Sequence, residues 1–454
     1  MTASNGVTRH VLPNGLTILL RPLHKAPVIS FWVLYRVGSR NEPTGRTGIS
    51  HWVEHMMFKG TEAFPPGYLD KAIERNGGSW NAQTSFDYTA YYETLPADRI
   101  DLAIRAEADR MLNAKFDPEE VESERTVIIS ERQGAENSPL FWLGEEVSAA
   151  AFRVHGYHHE IIGDMTDLKT MTRDDLYHHY KTYYTPNNAI LSMVGDFEPE
   201  PMLARLTEVY GAIPAGPTPP VFVRPEPPQQ GERRVRVERP GPTKFLSVAY
   251  KVPEAKHEDW IKLFVLDSIL GGASGFGGGG VGNKTSRLYQ ALVKTELAAG
   301  MSSSIWPSHD PFLYSFDITL REGRALEEVE AALFAELDKA IAGEITQAEL
   351  DKARKQARAL FAYSTETVTN QAFWMAFFEY VAGSYEYFLT FEERLRAVTL
   401  DDVHEVARKY LKPTQRVVGW FIPTEDGGGD LDDTPLDDDG DEDLEDEIDE
   451  GGDV

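Results

Sequence analysis

The alternation of apolar and polar residues along the chain predicts a mixture of strands and helices. Asn14-Gly15, a strong turn signal, separates two apolar segments and predicts a hairpin over residues 8–20. The continuous apolar and branched run from Val28 to Val37 is typical of a buried strand. In the segments from Asp98 to Asn113 and from Leu326 to Ile341, apolar residues recur with the helical period instead. Both of those segments are therefore predicted to be amphipathic helices.

A short pattern that occurs twice indicates an internal duplication. Thr172-x-Asp174-Asp175-Leu176, followed by Tyr183 and Pro186, recurs 227 residues later as Thr399-x-Asp401-Asp402-Val403, Tyr410 and Pro413. Each copy predicts a short helix followed by an apolar strand. We therefore predict an α+β fold of two homologous units, each a mainly antiparallel β-sheet with packed helices.

Composition divides the chain into four segments. Residues 214–242 hold nine prolines and are predicted to link an N-terminal domain (1–213) to a C-terminal domain (243–424). Residues 425–454 contain 17 acidic and no basic residues, so we predict a disordered acidic tail. A role in solubility is favoured for this tail, and attraction of basic peptides or of a basic partner is the alternative.

Charge and cysteine content narrow the possible functions. Subtracting the 17 charges of the tail from the net charge of −28 leaves −11, and no basic patch stands out, so nucleic-acid binding is not expected. The absence of cysteine excludes disulfides and thiolate metal ligands. No signal peptide and no apolar run of membrane-spanning length is visible, so we expect no membrane association and a cytoplasmic location.

The sequence His51-x-x-Glu54-His55 is the pattern of an inverted zinc site. Residues four apart in a helix lie on one face, so both imidazoles can point at one ion while Glu54 reaches a water beside it. Ser50 is predicted to be the N-cap of this helix. A helical histidine pair can also be two packed or surface imidazoles, and the pattern alone does not decide between these interpretations.

A catalytic zinc site usually has three protein ligands, and the downstream sequence offers a carboxylate. Asp117-Pro118 predicts the start of a helix that continues to about Gln133. Glu124 and Glu131 are seven residues apart on that helix and share a face. Such a carboxylate pair is normally only solvated, although the apolar residues of this helix indicate that part of it is buried.

The HxxEH sequence, followed by Glu124-Arg125 and Glu131 at this spacing, resembles the insulinase/pitrilysin-type zinc peptidases, and the processing-peptidase branch in particular. The resemblance covers residues 7 to about 423. It implies that His51, His55 and Glu131 bind Zn²⁺, that Glu54 is the general base, and that Glu124 orients a ligand. It also implies a fold that forms half of a clamshell.

The same resemblance implies a peptide-binding strand. The segment from Ser79 to Leu95 is predicted to be a hairpin or a kinked strand. In the resembled family the Gly-Gly-x-x-Asn-Ala segment is an edge strand that pairs with an extended peptide, which would place Asn81 and Ala82 nearest the scissile bond. An ordinary edge strand rich in aromatic residues is the alternative.

The resemblance further implies a zinc endopeptidase that works with a partner. Many relatives carry an Arg and a Tyr that hold the substrate backbone, and Val293 and Gly300 stand at those positions here. We therefore expect a homologous partner subunit in a heterodimer, with a homodimer as the second choice. A non-catalytic core or assembly subunit of the same fold is the alternative function, and Mn or Co in place of Zn²⁺ stays open.

Overall fold

The computed structural model describes residues 6–220, 223–273 and 284–424, so the predicted acidic tail at 425–454 lies outside the described residues. Six strands of the N-terminal half form one sheet: β1 (Thr8–Val11), β2 (Thr17–Pro22), β3 (Val28–Tyr35), β4 (Ser79–Thr84), β5 (Thr89–Pro96) and β6 (Ala189–Gly195). Their spatial order is β1-β2-β6-β3-β5-β4, and every pair is antiparallel except β2 with β6. The predicted hairpin over residues 8–20 is confirmed as β1 and β2.

The α-helices between or after these strands are α1 (Ile49–Met56), α2 (Tyr68–Arg75), α3 (Asp101–Asn113), α4 (Pro118–Glu136), α5 (Pro139–Ala151), α6 (Met165–Thr170), α7 (Arg173–Tyr183) and α8 (Pro199–Tyr210). The apolar side chains of α1, α3, α7 and α8 join one face of the sheet in a single buried cluster. The helix that carries the HxxEH sequence is therefore held against the N-terminal sheet by burial of apolar surface.

Five strands of the C-terminal half form a second sheet: β7 (Arg233–Pro240), β8 (Phe245–Val252), β9 (Ala298–Ile305), β10 (Phe312–Leu320) and β11 (Arg416–Thr424). Its order is β7-β11-β8-β10-β9, with β7 and β11 parallel and the other pairs antiparallel. Strand for strand this repeats the order β2-β6-β3-β5-β4 of the first sheet. The predicted fold class, two homologous α+β units with mainly antiparallel sheets, is confirmed. Strand β7 lies within the proline-rich range 214–242.

The helices of the C-terminal half are α9 (Glu258–Asp267), α10 (Leu326–Ile341), α11 (Gln347–Ser364), α12 (Val368–Val381), α13 (Glu386–Leu389), α14 (Phe391–Ala397) and α15 (Leu400–Tyr410). The repeated sequence pattern corresponds to α7 and α15. Each of these helices begins with a capping box. The hydroxyl of the N-cap threonine accepts the N–H of the aspartate three residues later, and the carboxylate of that aspartate accepts the N–H of the threonine; the pairs are Thr172 with Asp175 and Thr399 with Asp402. Within the described residues no helix is long and apolar enough to cross a membrane.

The two halves exchange one helix each. Helix α5 of the N-terminal half packs on the second sheet, where Leu143 and Val147 join the apolar cluster around Val417 and Phe421. Helix α12 of the C-terminal half packs on the first sheet through aromatic contacts such as that of Phe373 with Trp32 of β3, whose ring centroids are 4.9 Å apart. Each sheet therefore completes its core with a helix supplied by the other half.

A buried polar network also joins the halves. The guanidinium of Arg40 contacts Asp87, with Nε 3.1 Å from Oδ1, and it also contacts Asp310 of the C-terminal half. Its Nη2 donates to the hydroxyl of Tyr380 on α12 at 2.7 Å. Tyr157 donates to Asp87 at 2.5 Å. Arg40 therefore holds carboxylates from both halves and the exchanged helix α12 at one point.

Candidate metal centre

The start of α1 is fixed by backbone geometry and by a buried carboxylate. Gly48 precedes the helix with φ +86°, and a Cβ there would lie 2.4 Å from the carbonyl oxygen of Ile162. The carboxylate of Glu42 accepts the N–H groups of Gly48 and Ser50, both at 2.8 Å. Burial raises the pKa of Glu42 to about 8.

The prediction that Ser50 is the N-cap was wrong, because Glu42 supplies the cap from a preceding loop. Ser50 lies inside the helix, and its Oγ is instead 3.1 Å from Nε2 of His179 on α7. That contact connects α1, the HxxEH helix, to α7. His179 is fully buried and does not belong to the cluster at His51 and His55.

Three potential ligands meet at one point between α1 and α4. The Nε2 atoms of His51 and His55 are 3.3 Å apart. Oε2 of Glu131 lies 3.8 Å from Nε2 of His51 and 3.6 Å from Nε2 of His55. Within the described residues these three form the one group of histidine and carboxylate side chains compact enough to hold a metal ion.

The spacing and chemistry of this group fit a divalent cation. Ligand atoms about 2.1 Å from a tetrahedral ion lie about 3.4 Å from one another, close to the separations of these three atoms. Nδ1 of His55 is 2.8 Å from Oε1 of Glu124. With that nitrogen as the donor, Nε2 of His55 keeps a lone pair that is free to bind an ion between the three ligands. Burial lowers the pKa of His51 to about 4, which keeps this imidazole neutral near pH 7.

His55 differs electrostatically from His51. Burial lowers its pKa, but the hydrogen bond to Glu124 and the charge of Glu131 outweigh burial, so that the pKa of His55 is raised. The pKa of Glu124 is lowered, first by its hydrogen bond with His55 and also by Lys59. Glu124 therefore stays ionised and offers His55 a charged acceptor.

Glu54 lies beside this cluster in a nearly buried position. Burial raises its pKa, and a hydrogen bond from the hydroxyl of Thr84 opposes that rise. Oγ1 of Thr84 is 2.5 Å from Oε2 of Glu54. Because Thr84 ends β4, the carboxylate of Glu54 is connected to the edge of the sheet.

Sequence reasoning missed two contacts of this centre, Thr84 with Glu54 and Lys59 with Glu124. Nζ of Lys59 lies 2.5 Å from Oε2 of Glu124 and 3.3 Å from Oε2 of Glu120. Neither contact has a local signal in the sequence: Lys59 lies beyond the end of α1 and far along the chain from Glu124, and 30 residues separate Thr84 from Glu54.

Asn81 and Ala82 lie on β4, which pairs with β5 and, within the described residues, with no strand on its other side. Ala82 faces the core on the side of α1, whereas Asn81 is exposed on the opposite face. The side-chain oxygen of Asn81 accepts the N–H of Ala82 at 2.9 Å. The prediction that this segment belongs to a hairpin with an edge strand is confirmed.

Comparisons with known proteins agree with this architecture. Residues 17–165 match the family described as insulinase (peptidase family M16), and residues 170–357 match the peptidase M16 inactive domain. The chain is 32% identical to zinc protease PqqE of Helicobacter pylori, over 93% of this chain and 95% of that protein. It is 27% identical to the probable mitochondrial-processing peptidase subunit beta of Arabidopsis thaliana, over 77% of this chain and 65% of that protein.

Solved structures show the same fold over nearly the whole chain. The crystal structure of a protease from Helicobacter pylori aligns with a TM-score of 0.86 at 31% identity, covering 92% of this chain and 99% of that one. The M16 inactive domain from Pseudomonas fluorescens aligns with a TM-score of 0.83 at 16% identity, covering 92% of this chain and 98% of that one. The second likeness concerns the fold alone.

Proposed function

Because this chain belongs to the insulinase family of peptidases (family M16), we propose that it is a zinc-dependent endopeptidase that cleaves extended peptides or unfolded segments. One observation carries the proposal. The donor atoms of His51, His55 and Glu131 converge within 4.8 Å of one another, with the carboxylate of Glu54 on the same helix as both imidazoles. This is the donor set of an inverted zinc site with an acid–base residue beside it.

Each residue has a defined task in the proposed reaction. His51, His55 and Glu131 hold the ion, and Glu124 keeps His55 in the tautomer that offers Nε2. A bound Zn²⁺ would acidify a water molecule and polarise the carbonyl of the scissile bond. Glu54 accepts the proton of that water and delivers it to the leaving amine. Burial raises the pKa of Glu54, which makes its carboxylate a stronger proton acceptor.

The proposed substrate is an extended peptide that pairs with the open edge of β4. Main-chain hydrogen bonds with β4 near Asn81 and Ala82 would align the peptide without regard to its side chains. Thr84 ends the same strand and contacts Glu54, which supports a scissile bond close to this edge. A folded protein keeps most of its backbone paired in its own helices and sheets, so flexible peptides are the proposed substrate class.

A homologous partner subunit would complete the substrate site. Val293 ends a turn before β9, and Gly300 lies on β9, the counterpart of β4 in the second sheet. Neither side chain can donate a hydrogen bond to a peptide, so we propose that the partner supplies these donors in a heterodimer, with a homodimer as the second choice. Mass measurement of the complex purified with its partner, and peptidase assays with and without it, test this step.

The experiment that tests the function is Glu54→Gln, assayed with an unstructured quenched peptide. The variant should bind Zn²⁺ as the native chain does, while the turnover number falls on the order of 10² to 10⁴-fold. Glu62→Gln changes an exposed carboxylate that follows α1 and is neither ligand nor base, so it serves as the control. Unchanged turnover in Glu54→Gln would overturn the general-base assignment.

A further inference from the structure

The side chains of β4 alternate between two environments. Trp80, Ala82 and Thr84 face the side of the sheet that packs against α1, and Ser79, Asn81 and Gln83 are exposed on the other side. Thr84 is the last residue of the strand and pairs with Thr89 of β5. The strand with the open edge therefore ends in a hydroxyl group directed toward the HxxEH helix.

The hydroxyl of Thr84 has one proton, and Glu54 is its acceptor. Oγ1 of Thr84 is 2.5 Å from Oε2 of Glu54 but 3.4 Å from Oγ1 of Thr89. The hydroxyl of Thr89 donates elsewhere, to the carbonyl oxygen of Val37 at 3.0 Å. The contact with the carboxylate oxygen is the shorter of the two and therefore the stronger hydrogen bond.

This bond leaves one carboxylate oxygen of Glu54 for the reaction. Within the described residues Oε1 of Glu54 has no hydrogen-bond partner, whereas Oε2 is held by Thr84. Ala82 precedes Thr84 by two residues, which is about 7 Å along a strand. The carboxylate is thus anchored to the same strand on which the proposed peptide would lie.

We infer that Thr84 is a positioning residue, which fixes the carboxylate of Glu54 relative to the peptide-binding edge of β4. The inference rests on the proposed function. The hydrogen bond from Thr84 fixes the carboxylate of Glu54, which is carried by α1, relative to a peptide paired with β4. Misplacement of a reacting group by about 1 Å costs on the order of 100-fold in rate.

The decisive variant is Thr84→Val, which keeps the shape of the side chain and removes the hydroxyl. We expect the turnover number to fall on the order of 10- to 100-fold, with KM and the affinity for Zn²⁺ unchanged. Thr84→Ser restores the hydroxyl and should recover most of the turnover. Thr94→Val removes hydroxyl contacts with Ser30 and Thr369 on the face of the sheet away from α1 and should leave turnover unchanged.

A second readout does not depend on catalysis. In the metal-free chain, Thr84→Val should lower the midpoint of thermal unfolding in the native background but not in a Glu54→Ala background, because the bond is then already lost. Equal shifts in the two backgrounds, or full turnover in Thr84→Val, would overturn the inference. If Glu54→Gln is inactive while Thr84→Val is fully active, the role of Thr84 fails and the proposed function stands.

Discussion

Nδ1 of His55 lies 2.8 Å from Oε1 of Glu124, and the other oxygen of that carboxylate contacts Lys59. The two contacts engage both oxygens of Glu124, so its carboxylate has little freedom to turn away from the imidazole. The orientation of a metal-binding histidine depends on such a partner. His55 on α1, Glu124 on α4 and Lys59 in the loop after α1 thus act together to direct one nitrogen atom at the cluster.

Glu124→Gln should weaken metal binding on the order of 10- to 100-fold, because the uncharged amide is a poorer acceptor for Nδ1 of His55. Competition with a chromophoric chelator measures this affinity directly. Glu119→Gln, an exposed change on the same helix, provides the control and should bind the metal normally. Equal affinities for the two variants would show that Glu124 does not orient His55.

Arg40→Met should lower the free energy of unfolding by about 3–5 kcal/mol, because it leaves the carboxylates of Asp87 and Asp310 without their cation. Urea-induced unfolding followed by circular dichroism measures the change. Arg99→Met removes an arginine from the surface and should change stability little. A small effect of Arg40→Met would contradict the role given to the polar network between the halves.

The stability of the metal-free chain should depend on pH through His179. Burial, with the charge of His178, lowers the pKa of His179 from 6.5 to about 3. Between these values the unfolded chain binds a proton that the folded chain excludes, so the free energy of unfolding falls as the pH decreases from 6.5 towards 3. His179→Gln cannot titrate and should show a weaker decrease when unfolding is measured at several pH values. Parallel curves for the two proteins would contradict this.

Gly419→Val should destabilise the packing of α5 on the second sheet. A Cβ at Gly419 would lie 2.5 Å from Cγ2 of Val147 and 2.9 Å from Cδ1 of Leu143. Overpacking of this kind costs about 1–3 kcal/mol. Gly300→Val, in β9 of the same sheet, meets no atom within 4 Å of its Cβ and is the matched control for thermal unfolding. The prediction fails if both variants unfold at the same temperature.

Local sequence signals predicted much of the fold because they act over short distances. The turn at Asn14-Gly15 and the repeated pattern that predicted the helices α7 and α15 need only neighbouring residues, and the structure contains all of them. The spacing of His51 and His55 likewise follows from helical periodicity. The structure brings Glu131 to this pair from a different helix, a contact that the family resemblance implied and that helix periodicity alone did not.

Other features required contacts between distant residues and had no local signal. Glu42 caps α1 because the loop before the helix folds back onto its first turn. This arrangement has no local signal in the sequence, whereas Ser50 stands at the expected N-cap position. The exchange of α5 and α12 was not predicted. The pattern of apolar residues shows that a helix is buried, but it does not show which of two similar sheets the helix packs on. Which sheet it joins is decided by the tertiary structure.

Because α5 and α12 are exchanged, neither half can complete the core of its own sheet without the other. A fragment that ends in the proline-rich segment would expose the face of the first sheet that α12 covers. It would also contain α5 without the second sheet on which that helix packs. Proteolytic nicking of that segment should accordingly leave a non-covalent complex, and the two separated pieces should regain structure only when mixed.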